Sequence, residues 1–209
     1  MIVKRCTDAG IGSDQNRENN MHDIEPHWGW RQHYTAEEDM NSPFYGRLYD
    51  EFTFSDRIYD HFIHPQWDYI GSETLFVKLL FAEYEDGFAV FELLGEWNDC
   101  LHNDIMHFKR NVVDRLLKFG IDKFILIGEN VLNFHASDQD YYEEWFDDVG
   151  EEGWLAMLNF TPHVMREFCD YNIDQYFLSG GDLYFEDWRS LEPAVFFERV
   201  NSKVQRRLM

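Results

Sequence analysis

The chain is poor in the residues that would narrow its chemistry quickly. Only three cysteines, Cys6, Cys100 and Cys169, occur in 209 residues. They are too few and too scattered for a disulfide framework or a thiolate metal site, so reduced thiols are expected. Bases are scarce as well, with 18 Lys and Arg against 40 Asp and Glu and a formal charge of -22. A field of that sign repels phosphate backbones and anionic bilayers, so nucleic acid and membranes are not expected partners, whereas a basic protein is. No apolar run approaches the roughly 18 residues of a membrane span, and MIVKRCTDAG at the start has no apolar core after its bases. No internal repeat or low-complexity tract is present. The expectation is a bacterial, cytoplasmic protein, monomeric or weakly self-associating.

Aromatic residues are plentiful at 18% of the chain, so the core should be built from Phe, Tyr and Trp. The length suits one domain, or one domain with an appendage. Residues 1–40 show little periodicity and read as an N-terminal arm, flexible or docked through Trp28, Trp30 and Tyr34. Residues 41–69 read as short aromatic helices packed on the domain. Ser42-Pro43 is a cap-and-first-turn signature, followed by Phe44, Tyr45, Leu48, Tyr49 and Phe52 at helical spacing. Ser55 would cap a second helix carrying Ile58, Tyr59 and Phe62, and His61 and His64, with no third ligand nearby, read as ordinary polar histidines.

Residues 70–209 should form the α/β domain. Leu75–Tyr84 and Phe88–Trp97 are β-rich runs joined through Asp86-Gly87, a hairpin signal. A helix capped by Asn98 or Asn103 follows, with Ile105, Val112, Val113, Leu116 and Leu117 inward and Gly120 ending it. Phe124–Ile127 reads as a strand covered on both faces and ended by Gly128. Ser137 would cap a helix whose buried stripe is Tyr141, Tyr142, Trp145, Phe146 and Val149, and whose other side carries acids from Asp138 to Asp148. Then come a strand near Trp154–Phe160, a helix after Thr161-Pro162, a strand at Asp174–Leu178 with a hairpin return at Leu183–Phe185, and a last helix at about 191–207. That helix would turn Val195, Phe196, Val200 and Val204 inward, with a basic end facing the acidic helix. The fold class is therefore α/β, a mixed sheet opening with a β-hairpin and continuing in alternating helices and largely parallel strands.

The segment FILIGENVLNFHASD, with this element order over residues 70–205, resembles the STAS domain, the fold of anti-sigma-factor antagonists and lipid-binding relatives. The resemblance implies a non-enzymatic regulatory or binding module. In that family an aspartate-serine pair opens a helix and the serine is phosphorylated. Here the corresponding residues are His135, Ala136, Ser137 and Asp138, the aspartate is missing, and Ser137 reads as a helix cap.

Parallel strands bring their polar carboxyl ends to one edge, where open sheets bind ligands. The candidate ligand-binding residues are Glu96, Asp99, Glu129, Asn130, Asn133 and His135. Their carboxylates would suit a hard cation or an acid-base pair, although their spacing matches no ligand signature and mutual capping explains them equally well. No cofactor or resident metal is expected, and no serine or cysteine sits in a nucleophile setting. Three function classes stay open: the regulatory or binding module, a metal-assisted hydrolase using strand-end carboxylates, and an acidic inhibitor or immunity-type protein with a basic partner.

Overall fold

The computed structural model describes residues 24–50 and 52–208. Two short strands, β1 (Arg57–Ile58) and β2 (His61–Phe62), form a separate hairpin. Six more make one sheet, in which β3 (Asp68–Tyr69), β4 (Leu75–Glu83), β5 (Phe88–Asn98), β6 (Lys123–His135), β7 (Trp154–Leu158) and β8 (Leu178–Ser179) lie side by side in chain order. The β3–β4 and β4–β5 pairs are antiparallel and the remaining pairs parallel, so the sheet is mixed and opens with a hairpin, as the sequence implies. Gly87, at φ +70°, supplies the turn that Asp86-Gly87 announces.

Crossovers between parallel strands need helices. The first is broken: α1 (Asp99–His102) stops at Asn103 in the left-handed region, then α2 (Asp104–Phe108) runs through a π-helical turn at Lys109–Val113 into α3 (Asp114–Lys118). The others are α4 (Asp140–Val149) and α5 (Pro162–Asp170). Ile105, Phe108, Val112, Leu116, Trp145, Val149, Val164 and Phe168 from these helices join Phe91, Leu93, Phe124, Leu126 and Leu155 of the sheet in one core. The second face is covered by α6 (Pro193–Leu208) through Phe196, Phe197, Val200 and Val204, which pack on Phe88, Val90, Ile125 and Trp154. Trp30 and Trp188 extend that layer, so the described part of the N-terminal arm is docked.

Several local expectations give way to tertiary contacts. Residues 43–46 form turns and 47–50 no regular element, rather than a helix: Ser42 Oγ accepts from Phe44 N at 3.0 Å, and Gly46 at φ +74° bends the chain back to Glu37. The segment expected as a second helix is the β1–β2 hairpin, turned at Tyr59 with φ +52°. The helix expected from Ser137 starts at Asp140 after Gln139, whose side chain instead bonds Tyr171 O, and Phe146 is exposed. Leu183–Phe185 makes no hairpin return, because the Asn159 amide takes the place of a neighbouring strand, bonding Phe185 N at 2.8 Å and Phe185 O at 2.7 Å. On α6, Val195 faces out and Phe197 in. The basic end of α6 meets the 179–187 segment rather than α4, through Arg207 to Asp182 and Arg199 to Asp187. Cys6 lies outside the described residues.

The largest correction concerns β6. Gly128 does not end it: the strand continues to His135, 13 residues against the 11 of β5, and absorbs the excess in two register shifts opposite Glu92/Leu94 and Gly95/Glu96. Glycine is needed at 128 because the Phe160 ring lies on the strand there; a Cβ would fall 2.4 Å from it. Gly128→Ala should therefore destabilise the fold by about 1–3 kcal/mol through overpacking. Urea denaturation should show most of that cost removed in a Phe160→Leu background, and equal costs in both backgrounds would contradict this account of the glycine.

Candidate functional site

The structure separates the six candidate residues. Glu96 and Asn133 meet, the amide Nδ2 donating to Glu96 Oε1 at 2.9 Å. Tyr59 also donates to Glu96, and that bond, chiefly, pushes the Tyr59 phenol up to about 12. Asn130 is half-buried along β6 and His135 is exposed at its end. Glu129 and Asp99 each belong to a different cluster, and because β6 continues past Gly128, Glu129, Asn130, Asn133 and His135 are strand residues rather than loop residues.

Asp99 sits where β5 turns into α1. Its Oδ1 accepts from Ile105 N at 2.8 Å and Trp97 Nε1 at 3.1 Å, and its Oδ2 accepts from the Tyr142 hydroxyl. Asp104, fully buried nearby, accepts from Asn98 N at 2.7 Å and Thr74 Oγ1 at 2.9 Å, while Asn98 caps α1 through Leu101 N. Burial pushes the Asp99 carboxyl up to about 7, and the Asp104 charge adds to the rise while the Tyr142 and Ile105 bonds oppose it.

Glu129 lies on the opposite face of the sheet, with Glu92. Arg189 bridges the two carboxylates, 2.6 Å from Glu129 Oε2 and 3.0 Å from Glu92 Oε1. Trp188 Nε1 and Asn159 Nδ2 donate to Glu129 Oε1 at 2.8 and 2.7 Å, and the backbone N of His27 donates to Glu92 Oε2 at 2.8 Å. Glu92 was legible as an acid inside the apolar run FAVFELLGEW, but nothing local in the sequence points to Arg189, nearly a hundred residues away.

A third cluster lies between the first crossover and α4. Lys109, its side chain fully covered in the π-helical turn, contacts Asp114 on α3 and Glu144 and Asp148 on α4, the last at 2.7 Å; Arg110 pairs with Glu144. Burial alone would lower the Lys109 pKa, but the Asp114 and Asp148 carboxylates outweigh it and the net shift is upward. Oxygens of Asp114, Glu144 and Asp148 lie within 4.8 Å of one another, a metal-like grouping whose charge the ammonium answers. The large groove of the molecule, about 920 Å³ between residues 184–187 and α6, shares no residue with these clusters.

Known proteins add little. No protein-family model matches the chain and no curated protein matches it. Among solved structures, the anti-sigma factor antagonist SpoIIAA in its unphosphorylated form aligns with 51% of this chain and 89% of that one, at 14% identity and a TM-score of 0.41. The weak resemblance in element order is thus recovered from coordinates, at a level that says nothing about activity. Among the described residues, no helix is long and apolar enough to cross a membrane.

Two outcomes test the clusters. Lys109→Met should cost on the order of 2 kcal/mol, less than a fully buried broken pair because the acids are partly exposed. Calcium should raise the melting temperature of that variant and not of the parent; no loss of stability would contradict the assignment. For Asp99 the folded pKa, about 7, lies above the ordinary aspartate value of 3.8, so the native state holds the proton more tightly. Stability should then rise as pH falls from 8 to 5.5, on the order of 2 kcal/mol from this group. Asp99→Asn should flatten that part of the thermal-midpoint profile, and an unchanged profile would refute it.

Proposed function

We propose that the chain is a non-enzymatic regulatory or protein-binding module. The observation that carries this reading is the exposure of large apolar side chains in one segment: Leu48 is 98% exposed and Phe52 88%, with Tyr45 and Tyr59 also more than half exposed. Side chains of this kind in contact with water are usual singly, but several in one stretch suit contact with another protein. The buried carboxylates support it from the other side. Asp99, Glu92, Glu96 and Asp68 are each engaged by donors from this chain, which fits structural networks better than groups poised for substrate.

The chemistry of a partner follows from the surface. Asp138 ahead of α4 and Asp140, Glu143 and Asp147 on it are exposed, and with the charge of -22 they favour a partner bearing basic residues beside an apolar contact. Affinity capture from lysate with the wild type and with a Leu48→Ser, Phe52→Ser double variant is the direct test. These are exposed positions, so the variant should keep its stability within about 0.5 kcal/mol. The expected result is a protein retained by the wild type at moderate salt and lost from the variant. Identical sets of retained proteins, or none with the wild type, would count against the reading.

A further inference from the structure

The segment from Ile24 to Arg31 lies across the second face of the sheet as a strap, held at three points. Trp67 Nε1 donates to Ile24 O at 2.8 Å, His27 N donates to Glu92 Oε2 at 2.8 Å, and Trp30 Nε1 donates to Leu191 O at 2.7 Å. The Trp30 ring packs edge-on against Trp188 and tilted on Phe196, and the His27 ring meets both Trp30 and Trp188. Beneath the middle point lies an imbalance of charge. Two carboxylates, Glu92 and Glu129, share one guanidinium, that of Arg189, and Glu92 is only 1% exposed.

Among the described residues, the other titratable side chains facing Glu92 are committed or neutral. Lys78, its cross-strand partner on β4, turns its ammonium to Asp68 at 3.4 Å. The His27 ring is held to about 4 by burial and by Arg189, so it is uncharged near neutrality. The covered site therefore carries one negative charge with no counterpart while both acids are ionised. Such a charge is relieved by taking up a proton or by admitting water.

We propose that the strap is a pH-governed latch: it lies closed over Glu92 when that carboxyl is protonated and opens more readily when it ionises, uncovering Trp188 and Phe196. Burial, the largest influence, with Glu129 in support and against His27 N and Arg189, raises Glu92 from 4.5 to about 7 in the closed form. Opening hydrates the group and returns it toward its ordinary value. The closed form then holds the proton more tightly, so acidification favours closure and rising pH favours opening up to the closed-form pKa, beyond which the effect levels off.

The test is amide hydrogen exchange of the full chain, followed at residues 27–31 and corrected for intrinsic rates. Strap opening should increase about tenfold or more between pH 5.5 and 8, and at every pH the strap amides should open far more often than those of β5, which follow global unfolding. Glu92→Gln, which retains an acceptor for His27 N, should abolish most of that dependence. Arg189→Gln supplies a second reading, since loss of the shared cation should raise opening at pH 8. Strap exchange independent of pH, full dependence persisting in Glu92→Gln, or strap amides opening no more often than those of β5 would each overturn the latch.

Discussion

Burial of β5 on both faces is the constraint from which the rest follows. All eleven of its residues are buried, between an antiparallel neighbour on one side and a parallel one on the other. A strand so placed has no water for its polar side chains, yet it carries Glu92, Glu96 and Asn98 and runs directly into Asp99. Each must be answered by the protein, because an unanswered buried charge costs far more than a hydrogen bond returns. The answers come from distant parts of the chain: His27 and Arg189 for Glu92, Asn133 and Tyr59 for Glu96, Tyr142 and Ile105 for Asp99. Meeting these demands ties the N-terminal strap, the β1–β2 hairpin and the segment before α6 to one strand.

The same constraint explains where the few bases go. With 18 bases for 40 acids, cations reach only some of the covered carboxylates, and Glu96, Asp99 and Asp104 are answered by hydrogen bonds alone. Lys109 pairs with Asp114 and Asp148, Lys78 and Arg47 flank the buried Asp68, and Arg189 spans Glu92 and Glu129. Among the described residues, Asp140 and Glu143 on the outward face of α4 form no salt bridge, and with the net charge of -22 the external field of the molecule is negative.

What was legible in the sequence was whatever short-range physics controls. The β4–β5 hairpin follows from two β-rich runs around Asp86-Gly87, and the alternation of helix and strand follows from the change of apolar period. The expected helix over 43–52 fails because Gly46 turns left-handed and Leu48 and Phe52 find nothing to pack against, so spacing alone could not hold it. Gly128 reads locally as a strand end, and only the Phe160 ring shows it to be the one residue that fits while the strand continues. Of the candidate residues, only Glu96 and Asn133 meet each other, because two bulges in β6 re-aim the side chains after Glu92.

The sequence by itself determined the class of fold, the one-signed surface and the aromatic core, since these depend on composition, period and turn chemistry within a few residues. Tertiary structure alone decided which acids are buried, which cations answer them and where β6 ends. Those outcomes rest on contacts between residues such as Glu92 and Arg189 or Lys109 and Asp148, far apart in the chain, and the strength of a charge depends on the depth at which folding leaves it.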